Sequence, residues 1–225
     1  MKAIVFDSGT IINFAMNGIL DILKSLKSEF NGKFIITEAV KEEVIDKPLH
    51  IKKFELEALM IKKLFDDGVF ELPYDIVVKK ELIAKRDSLF NMLNHVFYAR
   101  NEFVHIVDKG EVSSLAVSLL LKEKGIDNVL AVDERTARML CERPENLTQL
   151  LRKKLQTSVD MKGDLSFLSK IKVIRSSELM YLAYKKGLVK LKSPKVLDAL
   201  LYASKFKGCS ISFDEIEQMK KLENV

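Results

Sequence analysis

The opening heptapeptide, Met-Lys-Ala-Ile-Val-Phe-Asp, constrains the fold more than any other part of the chain. Residues 3–6 are apolar without alternation and favour β structure, so both faces of the strand they form must be covered. A strand covered on both sides belongs in a parallel sheet with helices above and below it. The run stops at Asp7, Ser8 and Gly9, which puts a carboxylate where the strand opens into a loop. Residues 11–30 then carry Ile12, Ile19, Leu20, Leu23 and Leu26 at helical spacing, and Asn31-Gly32 closes that helix. Residues 34–36 form a second apolar strand, after which Thr37 caps a helix that Pro48 stops. This β-α-β-α beginning predicts an α/β chain: a three-layer α/β/α fold around a central, mainly parallel sheet, with added helices.

Further along, residues 49–67 and 76–103 read as helices, with residues 69–72 as a short strand between them. Residues 111–124 read as a helix of small and apolar residues. Residues 129–132 read as another buried strand, which ends at Asp133 and Glu134. Residues 135–156 read as a basic helix, 160–164 as a polar loop and 172–174 as a strand. Three short helical segments follow, broken at Gly187, Pro194 and Gly208. No linker rich in Gly, Ser or Pro divides the chain, so residues 1–225 read as a single domain.

Composition excludes several classes of function. Hydrophobic residues make up 48% and charged residues 31% of the chain, a globular balance. Two cysteines cannot build a disulfide framework, and the N-terminus turns acidic too soon for a signal peptide, so a reducing, cytoplasmic setting is expected. No apolar run reaches the ~18–20 residues of a membrane span. The three histidines share no metal-ligand spacing, which argues against a zinc module. The net charge of +5 hides an asymmetry, because residues 140–225 hold 17 basic against 10 acidic groups. Arg135, Arg138, Arg143, Arg152, Lys153 and Lys154 lie on the segment after Asp133 and are candidate phosphate contacts, against the plainer reading of a solvated helix face. Tyr181, Tyr184 and Tyr202 stand at helical spacing, which favours the core over base stacking.

Acidic residues recur where the sheet is expected to open. Asp7 follows one buried strand and Asp133 another, and ligands of open α/β sheets bind beyond the carboxyl ends of the strands. Two carboxylates there repel one another unless a cation lies between them, and oxygen ligands without Cys or His suit Mg²⁺ or Mn²⁺. Taken alone, either acid could equally cap the helix that follows it. On the capped helix Glu43 lies at the edge of the Val40/Val44 stripe and points inward, whereas Glu42 falls about 100° away, toward solvent. Glu111 opens the small-residue helix, either as a favourable charge at its N-terminus or as a further ligand.

These motifs, in this order, resemble the PIN-domain nucleases, in particular a prokaryotic, archaeal branch. The matching stretches are Val-Phe-Asp7-Ser8-Gly-Thr10, Ile-Thr37-Glu-Ala-Val-Lys-Glu42-Glu43-Val, Asp108-Lys-Gly110-Glu111-Val-Ser113, and Leu-Ala-Val-Asp133-Glu134-Arg-Thr-Ala-Arg138. The C-terminal run Ser176-Ser-Glu-Leu-Met-Tyr-Leu-Ala-Tyr-Lys-Lys-Gly187, followed by Leu197-Asp-Ala-Leu-Leu, is similar to the helices that close one branch of PIN-like proteins. The resemblance covers residues 1–48, 104–140 and 171–218, which leaves residues 49–103 and 141–170 as helical insertions.

The resemblance implies a metal-dependent endonuclease that hydrolyses RNA or DNA phosphodiesters and leaves a 5′-phosphate. Asp7, Glu43 and Asp133 would be catalytic metal ligands and Glu111 the fourth, with Mg²⁺ or Mn²⁺ activating a water. Ser8, Thr10, Glu42, Asp108, Ser113, Glu134 and Asp198 would stand around them as supporting groups. Asp198, in its apolar setting, either reaches the cleft or pairs with a lysine. The family places an acid where this chain has Ser113, so a weakened or catalytically silent nucleic-acid-binding module, toxin-related, is the alternative. A homodimer stays open, and no segment identifies an antitoxin-like partner.

A second enzyme class shares the opening motif. Val-Phe-Asp7-Ser8-Gly9-Thr10 looks like the start of a haloacid-dehalogenase-type phosphatase, in which the first Asp is the nucleophile. The second Asp of that pattern is missing here, and Lys162-Gly163-Asp164 only faintly echoes its later motif.

Overall fold

The computed structural model describes residues 1–222 of the chain. Its centre is a four-stranded parallel sheet in the order β2-β1-β5-β7, formed by β1 (Lys2–Phe6), β2 (Lys33–Ile35), β5 (Asp127–Ala131) and β7 (Lys172–Ile174). β1 lies inside the sheet, in register from Ala3 opposite Lys33 to Phe6 opposite Ala131. Its side chains alternate between two cores. Ala3 and Val5 pack with the helix α6 (Lys109–Glu123) and with α5 (Lys79–Leu93), whereas Ile4 and Phe6 pack with α1 (Ser8–Met16), α2 (Leu20–Glu29) and α9 (Ser176–Lys185). Both faces being covered explains why the strand is apolar throughout. The chain is therefore three layers, α/β/α, as the opening heptapeptide predicts.

Phe6 meets Phe34 at 4.9 Å and Phe70 at 5.3 Å between ring centroids, which locks the second core against the sheet. Residues 69–72 are not a full strand. Glu71 makes an isolated parallel bridge to Ile35, with Glu71 N–H on the Phe34 carbonyl at 3.0 Å and Ile36 N–H on the Glu71 carbonyl at 3.0 Å. A third cluster of Leu197, Leu201, Cys209, Ile211 and Ile216 joins α10 (Val196–Phe206) to α11 (Phe213–Lys221). Tyr181, Tyr184 and Tyr202 pack against it, so the core reading of these rings is the one that holds.

Several elements differ from expectation for local reasons. The helix expected over residues 11–30 splits into α1 and α2, because Gly18 turns the chain at a φ of 67°. The helix expected over residues 135–156 splits into α7 (Arg135–Glu142) and α8 (Pro144–Leu155), since the residue before Pro144 cannot stay helical. The helix expected to reach residue 103 ends at Leu93. It gives way to a hairpin of β3 (Phe97–Ala99) and β4 (Glu102–Phe103), turned by Arg100 and Asn101 at positive φ. The polar stretch after residue 160 contains a short strand, β6 (Asp160–Met161), which pairs with β3.

The two segments expected to be insertions thus meet. Residues 49–103 supply β3 and β4, residues 141–170 supply β6, and together they make a separate antiparallel sheet in the order β4-β3-β6. The first insertion also divides across the molecule: α4 (Glu55–Asp66) packs with α1 and α2, whereas α5 packs on α6. Among the described residues, no helix is long and apolar enough to cross a membrane.

Candidate functional site

Asp7 leaves β1 at its carboxyl end and N-caps α1 with an extended backbone, φ −84° and ψ 158°. Its N–H binds the Ala131 carbonyl at 2.9 Å, so the sheet ladder runs right up to the carboxylate. The side chain is buried, and burial pushes its pKa up to about 6. The Glu43 charge, and more weakly that of Asp133, push the same way, while the Ser8 and Gly9 amides pull against them.

Asp133 follows β5 on the neighbouring strand and is 3% exposed. Its Oδ1 accepts the Ser176 N–H at 2.7 Å, at the first residue of α9, so a helix N-terminus faces the carboxylate. Its Oδ2 is buried and has no hydrogen-bond partner among the described residues. Burial raises its pKa, opposed chiefly by the bond from the Ser176 amide. Behind it lies a polar network that the sequence reading missed. Asn13 Nδ2 binds the Ser204 carbonyl at 2.8 Å, the Ser176 and Ser204 hydroxyls meet at 2.8 Å, and Ser210 N–H binds the Asp133 carbonyl at 3.1 Å. The available signal was Asn13, a polar residue among the buried Ile11, Phe14 and Ala15 of α1.

Glu43 and Glu111 come from the opposite side. α3 (Glu38–Lys41) widens into a π-turn over Glu42–Asp46, a local geometry that occurs often at functional sites. Glu43 is exposed, as Glu42 is, and does not turn inward with Val44 and Ile45; its Oε2 stands 3.6 Å from where a Cβ on Gly110 would be, so it still faces the first turn of α6. Glu111 lies in that turn, with Oε2 accepting the Asp108 N–H at 2.8 Å. Burial pushes its pKa up to about 7. The Asp108 amide pulls against this, and the charges of Asp7, Glu134 and Asp108 add to it.

Asp7 thus feels the charges of Glu43 and Asp133, and Glu111 feels that of Asp7. The donor set is all carboxylate and includes a buried, partnerless oxygen, which fits a hard divalent cation. Among the described residues, no three His, Cys, Asp or Glu side chains already stand at ligand distance from a common point.

Other expected supporting groups have other partners. Ser113 is buried, and its hydroxyl donates to the Lys109 carbonyl at 2.7 Å. Asp108 turns to solvent with its side chain 87% exposed, 3.2 Å from the His105 ring. Glu42 is exposed and pairs with Lys47 at 3.2 Å. Glu134 N-caps α7, accepting the Ala137 N–H at 2.7 Å. Asp198 takes the lysine alternative, since Lys220 holds it at 2.6 Å. Ser8 and Thr10 are buried in the first turn of α1, and the Thr10 hydroxyl has no partner among the described residues.

The basic residues divide in the same manner. Arg135 and Arg143 are exposed and line a groove of about 640 Å³ beside α7, shared with Arg138, Asn146 and Glu215. Arg138 is mainly structural, binding the Ser210 carbonyl at 2.9 Å. Arg152 clamps the Val159 carbonyl with two bonds, at 3.1 and 2.9 Å, which holds the approach to β6. Lys153 and Lys154 are exposed in the last turn of α8.

Comparison of the chain with protein-family models, with curated proteins and with solved structures returns no match.

Proposed function

We propose that the chain is a PIN-like, metal-dependent nuclease that hydrolyses phosphodiester bonds of RNA or DNA. One observation carries the reading: four separate segments bring Asp7, Glu43, Glu111 and Asp133 to the carboxyl end of a parallel sheet, and Asp7 interacts electrostatically with each of the others. Without a cation such a set only repels itself, and the core does not need it.

In this mechanism Asp7 and Asp133 are the rigid pair, one fixed by the strand ladder and the other by the Ser176 amide. Glu43 and Glu111 would hold the ion from the α3 and α6 side. Bound Mg²⁺ or Mn²⁺ supplies the Lewis acidity that activates a water and neutralises charge as the phosphodiester breaks. Arg135, Arg143, Lys153 and Lys154 hold flanking phosphates by charge, which gives affinity with little choice between RNA and DNA. Water adds to phosphorus and the bond to the 3′-oxygen breaks, leaving a 5′-phosphate and a 3′-hydroxyl.

The test is a panel of RNA and DNA substrates with Mg²⁺, Mn²⁺ or chelator, read by end-group analysis of the products. Cleavage that needs metal and is lost in Asp7→Asn and Asp133→Asn supports the reading, whereas cleavage that persists in EDTA or in both variants overturns it. A silent binding module is the second reading. It is favoured by Ser113, whose hydroxyl is tied to the Lys109 carbonyl where the family carries an acid; salt-sensitive binding without cleavage under any metal would establish it.

A dehalogenase-type phosphatase has less support. Lys162 stands over the Tyr98 ring, and Ser166 donates from its amide and hydroxyl to the two Asp164 oxygens, which gives both residues of the later motif other partners.

A further inference from the structure

We infer that the small sheet β4-β3-β6 is a base-stacking platform that delivers single-stranded nucleic acid to the carboxylate cleft. The inference rests on the nucleic-acid reading above and names its substrate class.

β3 alternates cleanly. Phe97 and Ala99 are buried, while Tyr98 turns outward, in register with Phe103 on β4. Phe103 is 45% exposed and meets Tyr98 at 5.3 Å and His95 at 4.9 Å, both edge-to-face. Lys162 lies over the Tyr98 ring at 3.8 Å and reaches Phe103 at 5.8 Å. Lys162 covers the Tyr98 face, so the exposed Phe103 ring is the one on which an unpaired base can stack, with the ammonium beside it for a phosphate.

The platform is joined to the cleft by a short stretch of chain. From Phe103 the chain runs through His105, packed on Phe90 at 5.9 Å, to Asp108 and then Glu111. Glu111 lies eight positions after Phe103, so the two are within about 28 Å of one another along the chain. Both insertions are needed to build this surface, because β6 and Lys162 come from one and the rings from the other. Glu102 and Asp160 sit on the two edge strands, so recognition here depends on ring faces more than on charge. Duplexes, whose bases are already stacked, gain nothing from it.

The chain contains no tryptophan, so Phe103→Trp introduces a single fluorescent reporter. In an Asp7→Asn background with chelator, oligo(dT) or oligo(U) should quench this indole, while inorganic polyphosphate and duplex DNA should not. Phe103→Ala and Phe103→Leu should each weaken single-strand binding roughly 5- to 100-fold, the range of one stacked base, with duplex binding and thermal stability unchanged. Phe103→Leu keeps apolar bulk without a ring and so separates stacking from packing.

No quenching, equal quenching by polyphosphate, or single-strand affinity unchanged in Phe103→Ala would overturn the inference. Dimerisation abolished by Phe103→Ala, without quenching by oligonucleotide, would also overturn it and assign the face to a second copy. Quenching without cleavage under any metal leaves the platform and removes the nuclease; cleavage without quenching does the reverse.

Discussion

Replacing Asp7 by Asn should make the metal-free protein more stable while destroying its activity. The Asp7 carboxyl is buried and its pKa stands at about 6 instead of 3.8. A raised carboxylate pKa means that the folded state binds the proton more readily than the unfolded one, so stability falls as pH rises through the interval from 3.8 to about 6. Above that interval the ionised carboxylate costs the fold roughly 3 kcal/mol. Asparagine keeps the shape and removes the charge but must itself be solvated, so a gain of about 1–3 kcal/mol is expected at neutral pH. For a domain of this size that is roughly 3–10 °C in Tm.

Thermal melts in EDTA at pH 7.5 should show the variant melting higher, and the gap should close near pH 4. Mn²⁺ should raise the Tm of the parent more than that of the variant, because the variant has lost one of the four carboxylates that would hold the ion. A variant less stable than the parent at pH 7.5 in EDTA would refute the argument that this carboxylate is held at a cost to the fold.

Three further outcomes follow from particular contacts. Glu215, which accepts the Ser212 N–H at 2.7 Å and pairs with Arg175 at 2.8 Å, has its pKa drawn down to about 2 against the opposing effect of burial, so its contribution is complete above the ordinary value of 4.5 and is lost as pH falls from there toward 2; Glu215→Gln should remove that acid limb from a Tm–pH profile. Arg152→Ala should lower stability by about 1–2 kcal/mol in urea melts through the lost Val159 clamp, with oligonucleotide affinity unchanged, whereas Lys153→Ala or Lys154→Ala should leave stability alone and reduce the salt slope of binding by up to about 0.9. Phe97→Ala should cost about 3–5 kcal/mol in the same melts, because this fully buried ring anchors the sheet that both insertions share; a cost below about 1 kcal/mol would mean that the sheet is not part of the cooperative fold.

Much of the candidate site is legible in the chain because its members follow strongly patterned elements. Asp7 and Asp133 come directly after apolar strands, so local pattern places both; Glu43 sits at the edge of the Val40/Val44 stripe, yet the structure leaves it exposed. Some polar groups resist such reading, since their roles depend on partners elsewhere in the chain. Asp198 pairs with Lys220, and Asn13 answers Ser204. Arg138 and Arg152 look like phosphate contacts in sequence, yet Arg138 is tied to the distant Ser210 carbonyl and Arg152 to the Val159 carbonyl just beyond its own helix.

The sequence by itself determined the layered α/β/α core, because an unbroken apolar strand cannot be stable unless both its faces are covered. It also determined that carboxylates stand at the strand ends. The tertiary structure alone decided that two insertions close into one sheet. The hairpin turns through Arg100 and Asn101 at positive φ without a glycine, and β6 is too short to carry any period. Pairing of that kind is fixed by long-range packing of Phe97, Leu147, Leu151, Val159 and Leu168, a contribution that no local pattern in the chain expresses.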